Sequence, residues 1–361
     1  MKDRLAQALL MKVMSWDPER TAKERPELQA LAALKYDEYQ QFEPGMRFVE
    51  RLALWLDQFP QDAREVAYRH VRRRLIFLSN LEMTHLVGMA FADLIRPVLL
   101  QKAAAAMSVP PFYVRRIAAS AEFTAIQNST LFLGLSDGAR TDMFRRANPQ
   151  LDNEQFLQHY EIVAERAAKL LDGLQSRLPR GHGDAKFGTV VLLDDFTASG
   201  LSYLRLGDTG WTGKIGRFHN FLNSESGARL IGNGPIDVLL VLYVATQRAV
   251  EYLEEKTAEL SNDRARLKYR LLVGQLLPHS ESLRPGEDEG LDALIEAFYD
   301  SSLEDAHTLV GGTNLKYGFA GCGLSTILTH NAPNNSLALL VGETDHFRAL
   351  FPRVRRHAVH G

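Results

Sequence analysis

The chain has 361 residues, 45% of them hydrophobic, with a formal charge of -2 and a pI near 6.6. That length exceeds a typical single domain and predicts two cores, while the near-neutral charge excludes a surface built throughout for nucleic acid. Cys322 is the only cysteine, which excludes an intrachain disulfide and a cysteine-rich metal centre.

The chain opens with acidic Asp3 and only a short apolar run, Ala8 to Met11, so no secretory leader is expected. Residues 1 to about 110 read as helices. Met46 to Leu56 places its apolar residues at helical spacing. Pro60 and Asp62 open the next helix, which carries Val66, Val71 and Leu75. Ser79 and Glu82 have capping-box spacing ahead of a helical run from Met83 to Met107, which Pro97 should kink. Val109-Pro110-Pro111 breaks the chain and sets the expected division: a helical domain over 1–110 and an α/β domain over 111–361. The basic runs Arg72 to Arg74, Arg115-Arg116 and the tail from Arg353 to His360 read as solvated faces or a tail.

Past the break, strands alternate with helices, the pattern of a parallel sheet with crossover helices. Thr130 to Leu135 is a strand, followed by the loop Ser136-Asp137-Gly138-Ala139-Arg140, and Gln155 to Leu178 reads as one long helix. Val190 to Leu193 is a strand buried on both faces. Ile236 to Ala245 is a further strand leading into a helix through Glu255, and the aliphatic run near Val238 to Ala245 is too short to span a bilayer. Leu271 to Leu276 and Phe319 to Leu328 are further strands, and Ser336 to Val341 returns as a hairpin arm. Pro285 to Gly290 is an acidic surface loop without metal-ligand spacing.

The most informative segment is Val190-Val-Leu-Leu-Asp-Asp-Phe-Thr-Ala-Ser-Gly-Leu-Ser202. Asp194 and Asp195 fall where the strand should end, and small hydroxyl-bearing residues follow, then an expected helix N-terminus. Carboxylates can accept hydrogen bonds from ribose hydroxyls or help hold Mg²⁺ beside a pyrophosphate, and backbone N–H groups can cradle a phosphate. The segment resembles the ribose-phosphate signature of type I phosphoribosyltransferases. Phe196 and Thr197 depart from the aliphatic-led pair of the well-studied enzymes, and Phe196 makes it more similar to a divergent branch, PRTase-CE, of bacterial conflict systems, some of them retron-associated.

Other segments are weighed beside it. Leu133 to Arg140 resembles a pyrophosphate loop, with Ser136, Asp137, Gly138 and Arg140 as its ligand-facing residues; a Ser-Asp-Gly turn after a strand is also common. Lys214 and Arg217, in Trp211 to Arg217, face a phosphate in one reading and sit in an ordinary Gly-rich loop in the other. Asn334 and Asn335 can read a base or ribose, or simply make a hairpin turn. Cys322, His330 and Asn331 fit a cysteine hydrolase poorly, because nothing marks a helix N-terminus beside the thiol.

The resemblance implies an α/β fold of the type I phosphoribosyltransferase kind, a parallel sheet with crossover helices, preceded by an all-helical N-terminal domain. It implies chemistry at the ribose anomeric carbon of phosphoribosyl pyrophosphate (PRPP) or a nucleotide, with Mg²⁺. Asp194 and Asp195 would hold ribose hydroxyls and metal, while Thr197, Ala198, Ser199, Gly200 and Ser202 cradle the 5′-phosphate. It also implies a cytoplasmic protein of antiphage defence. The family's closing hairpin has no clear counterpart here, Arg180 to Lys186 being the only flexible stretch in the interval. The alternative is therefore a non-catalytic nucleotide-binding effector whose helical domain docks a protein or nucleoprotein partner.

Overall fold

The computed structural model describes residues 3–158, 162–178, 185–208, 210–263 and 266–354. The chain forms two compact units, one of Met1–Glu82 with Pro278–Gly361 and one of Met83–Leu277. Among the described residues the strands are, in chain order, β1 (Ile76–Leu78), β2 (Thr130–Gly134), β3 (Phe156–Leu157), β4 (Thr189–Thr197), β5 (Arg205–Gly207), β6 (Gly210–Thr212), β7 (Ile236–Thr246), β8 (Leu267–Leu277) and β9 (Thr326–Leu328).

The second unit holds a five-stranded sheet of order β3-β2-β4-β7-β8, every pairing parallel. β2, β7 and the first half of β4 are apolar without alternation because both faces are covered, whereas edge strand β8 carries Lys268, Arg270 and Gln275. On one face Val190 and Leu192 pack with Ala167, Leu170 and Leu174 of helix Ala164–Arg177 and with Ile215 and Phe218 of helix Lys214–Leu222. On the other, Phe132 meets Phe91 and Phe144, with ring centroids 6.4 and 5.5 Å away. Phe91 lies in a π-helical turn, Ala90–Ile95, between helices Asn80–Met89 and Arg96–Ala106. Pro97 starts the last of these, so the expected kink is a π-turn. By length and composition the stretch Asn80–Ala106 would reach across a bilayer, which the sequence reading overlooked. Here its Phe91, Ile95, Leu99 and Ala103 are buried.

The expected long helix over 155–178 is shorter. Asn153–Gln155 is a 3₁₀ turn, Phe156 and Leu157 form edge strand β3, and the helix starts at Ala164. The cause is tertiary: the Gln155 amide donates to the carbonyls of Gln127 and Thr130 at 2.6 and 2.9 Å, and Phe156 stacks on Phe132 at 4.9 Å. Arg180 to Asp184, part of the flexible stretch expected near the site, lie outside the described residues, as does most of the basic tail.

In the first unit, Phe48, Leu52, Trp55 and Leu56 line one stripe of helix Phe48–Asp57 and are buried. The stripe is covered by the C-terminal segment. Trp55 Nε1 donates to the Leu339 carbonyl at 3.0 Å, buried Arg51 donates from Nε to the Ala349 carbonyl at 2.7 Å, and Phe351 stacks on Phe48 at 5.7 Å. The compact units therefore do not follow a division at residue 110, since these helices share their core with residues far along the chain. Ser79 and Glu82 make the expected reciprocal cap. The run Phe319 to Leu328 is extended only over β9, which pairs parallel with β1, because Gly323 turns at φ +59° against the Leu283 carbonyl. Ser336 to Val341 is not a hairpin arm; Ala338–Val341 is a short helix.

His70 is buried here, with Nε2 2.8 Å from Ser325 Oγ. Burial lowers its pKa to about 4, Arg74 adding to the effect and Asp288 opposing it. The unfolded chain therefore takes up a proton near pH 6.5 that the folded one refuses. Stability present above that pH should fall by about 3 kcal/mol as pH drops toward 4. Urea unfolding at pH 7 and 4.5 should show this loss in the wild type and little of it in His70→Gln; equal losses would refute it.

Candidate functional site

The order β3-β2-β4-β7-β8 reverses direction between β2 and β4, and open α/β sheets bind ligands at the carboxyl ends of strands flanking such a reversal. The loops leaving those ends are Leu135 to Arg140 and Ala198 to Leu204. They carry most of the residues singled out in the sequence.

The acidic pair lies inside β4, which runs on to Thr197, rather than at its end. Alternation sends the two carboxylates to opposite faces. Asp194 is fully buried. Its Oδ1 accepts from the Ser136 hydroxyl and from the Asp195 amide at 3.2 Å. Its Oδ2 accepts from the Lys214 ammonium and from the Tyr203 hydroxyl at 2.6 Å. Four donors fill the lone-pair directions of a carboxylate. Asp194 thus fastens the Ser136 loop, the loop after β4 and the start of helix Lys214–Leu222 to one point. Burial pushes its carboxyl up from the ordinary range, and the Lys214 ammonium is the largest influence pulling it back.

Asp195 is half-buried, and its Oδ1 accepts from the Phe196 amide at 2.8 Å. It lies against the other loop so closely that a Cβ on Gly138 would fall 2.2 Å from Asp195 Oδ2. Only glycine lets the Asp137 to Ala139 turn approach the carboxylate. Arg140, next in the loop, adopts the left-handed conformation at φ +48°, ψ +41°, which is uncommon outside glycine and concentrates at functional sites.

After β4, Thr197, Ala198, Ser199 and Gly200 are buried and Ser202 is exposed. Thr197 Oγ1 accepts from the Gly200 amide and Ser199 Oγ from the Leu201 amide, both at 3.3 Å. Among the described residues nothing in the chain accepts from the backbone amides of Ser199 and Ser202. Contrary to expectation no helix begins here. The hairpin β5–β6 intervenes, and the helix starts only at Lys214. A helix dipole at the 197–202 loop is therefore not part of the site.

Lys214 points inward, onto Asp194 and 4.6 Å from the Tyr203 ring centroid. Its backbone is pinned by Gly213, at φ +95°, where a Cβ would meet the Tyr203 carbonyl at 2.6 Å. Gly213→Ala should cost at least about 2 kcal/mol, whereas Gly207→Ala, whose Cβ meets nothing nearer than 3.7 Å, should be close to neutral. Thermal melts of the two variants check this, and similar melting points would contradict it.

Asn334 and Asn335 belong to the first unit. Asn335 Nδ2 donates to the Phe319 carbonyl at 3.1 Å and to Cys322 Sγ at 3.3 Å, and the Asn334 carbonyl accepts from the Phe319 amide. They secure that loop.

The sequence did not single out the hydroxyls that brace the loops. Tyr203 secures Asp194, Tyr243 donates to the Ala139 carbonyl at 2.8 Å, Thr246 to the Ala198 carbonyl at 2.7 Å and Tyr252 to the Leu204 carbonyl at 3.0 Å. Burial raises the Tyr243 phenol well above its ordinary value, with Asp194 and Asp195 adding to it. Position was the available signal: Tyr243 and Thr246 fall in the carboxyl half of a strand.

For Mg²⁺, the donor set around β4 fits only in part. Asp194 has no oxygen left and faces an ammonium, and no group of three or more His, Cys, Asp or Glu converges among the described residues. Asp195 is the one carboxylate of the pair placed to touch a metal ion carried by a ligand's phosphates.

The sheet order, with an acidic pair and two small-residue loops meeting at its reversal, places this chain in the phosphoribosyltransferase-like class of α/β proteins. Within that class a family model described as PRTase-CE matches residues 52–353, and the chain belongs to this family. Searches of curated proteins and of solved structures give no match.

Proposed function

We propose that the chain binds PRPP or a nucleotide at the loops after β2 and β4 and acts at the anomeric carbon of its ribose. The observation that carries this is the contact of the Gly138 turn with Asp195 at the sheet's reversal. Asp195 accepts from a ribose hydroxyl, Arg140 and the Ser136 to Gly138 amides face the pyrophosphate, and the Ser199 and Ser202 amides face the 5′-phosphate. Asp194 positions these loops without touching the ligand. When bound, Mg²⁺ would screen the pyrophosphate's charge. In transfer, a nucleophile's lone pair forms the new bond to the anomeric carbon as the bond to pyrophosphate breaks and pyrophosphate leaves with the electrons. In hydrolysis, water forms that bond, the N-glycosidic bond breaks, and the base leaves and takes a proton. Family membership supports a setting in bacterial antiphage defence, retron-associated in some cases, and in the cytoplasm.

The second reading, a non-catalytic effector, is favoured by one observation: protein donors fully engage Asp194, so that this carboxylate does not serve a ligand. In this reading the N-terminal helices are the element that docks a protein or nucleoprotein partner. Calorimetry with PRPP and nucleoside monophosphates plus Mg²⁺ tests binding. Asp195→Asn should weaken it at least about tenfold, the worth of one charge-assisted hydrogen bond. Mass spectrometry for free base, pyrophosphate or new nucleotide then separates the readings, and equal binding by wild type and variant would sink both.

A further inference from the structure

A cavity lies at the opposite end of the sheet from the acidic pair. It measures about 330 Å³ and opens at the amino ends of β4, β7 and β8 beneath helix Arg96–Ala106. Thr189, Asp237 and Lys268 stand in one cross-strand row, and Leu239 and Arg270 are paired in the next row on the same face. Thr189 and Asp194 lie five residue steps apart on β4, about 17 Å along the strand, so the cavity shares no residue with the loops described above.

Its charges are unbalanced. Lys102, from the helix, is fixed by three acceptors, Asp237 Oδ2 at 2.6 Å, Thr189 Oγ1 at 2.9 Å and the Gly188 carbonyl at 3.2 Å. That ion pair neutralises the only carboxylate in the lining. Two cations then remain without a carboxylate partner among the described residues: Lys268, and Arg270, whose one hydrogen bond is a long one of 3.4 Å to Gln101. Val98, Leu99 and Leu239 supply an apolar wall. Two adjacent positive side chains over an apolar recess suit a dianion joined to an apolar or planar body, and the volume falls within the range of small-ligand sites.

We propose that this cavity is a second ligand site, for a small phosphomonoester whose phosphate sits between Lys268 and Arg270 and whose remainder lies against Val98, Leu99 and Leu239. The fixed Lys102–Asp237 pair shapes the floor without binding the phosphate. Both phosphate-facing residues are exposed, so reversing their charge leaves the core intact.

The test is calorimetry on the full chain with inorganic phosphate and with adenosine 5′-monophosphate as probes. Asp195→Asn serves as background, to weaken binding at the loops after β2 and β4 so that the two sites separate in affinity. In that background the monophosphate should bind with one-to-one stoichiometry and inorganic phosphate more weakly, because it lacks the apolar contact. Adding Lys268→Glu and Arg270→Glu should weaken the monophosphate at least tenfold while the melting temperature stays within a few degrees. Val98→Trp, which fills the recess, should weaken the monophosphate more than inorganic phosphate. No binding by the Asp195→Asn protein, or unchanged affinity after the double charge reversal, would overturn the proposal. Neither result would bear on the loop site, which Asp195 tests in the otherwise native chain.

Discussion

Replacing Lys214 with methionine should destabilise the second unit by about 3–5 kcal/mol, the cost of stranding a buried charge, and lower its melting temperature by on the order of 10 °C. The side chain of Asp194 has no exposure at all, and that of Lys214 only 17%. Methionine fills much of the lysine's volume but supplies no positive charge, and burial then drives the Asp194 carboxyl further up. Asp194→Asn alone should cost less, since an amide can keep the Ser136 and Tyr203 hydroxyls as partners. The double variant should recover part of the loss, giving a coupling energy above about 1 kcal/mol in a mutant cycle. Urea unfolding measures it. A Lys214→Met protein within 1 kcal/mol of wild type would mean that Asp194 takes a proton at little cost and that the ion pair is incidental.

A fragment of residues 108–361 should fail to fold as a whole, whereas residues 83–277 alone should melt cooperatively. The longer fragment lacks Phe48, Leu52, Trp55 and Leu56, against which the C-terminal segment packs. Each large apolar side chain lost from a core costs about 3–5 kcal/mol, and total stabilities are only about 5–15 kcal/mol. It also lacks helix Arg96–Ala106, which covers the sheet in the second unit. Circular dichroism melts and limited proteolysis of both fragments decide the matter. A cooperative melt with protected residues 278–354 in the longer fragment would show that the N-terminal helices are dispensable.

The sheet was legible where its physics is local. Apolar runs at β2, β4 and β7 announced strands, the one at β4 covered on both faces, and Ser79 with Glu82 announced a helix start through its own cap. β3 was hidden because two residues at the start of an amphipathic stretch carry no period of their own; distant Phe132 decides their conformation. The make-up of the first unit was hidden for the same reason, since Trp55 and Leu339 meet across 284 positions. At the site, the residue types of the acidic pair and both loops were readable, but their division of labour was not. Alternation separates Asp194 from Asp195, yet only the packing of helix Lys214–Leu222 on one face determines which carboxylate the protein itself occupies.

The first unit is built from segments that the ribosome makes far apart in time. Residues 1–82 emerge first and then wait for residue 278 and beyond, with the whole of Met83–Leu277 synthesised in between. At translation rates of about 5–20 residues per second the delay is roughly 10–40 s, against folding times that are commonly far shorter. The sheet-bearing unit can therefore complete itself on the ribosome while Phe48, Trp55 and their neighbours still present an uncovered apolar stripe. In the cell that interval makes the nascent N-terminal helices natural clients for a chaperone.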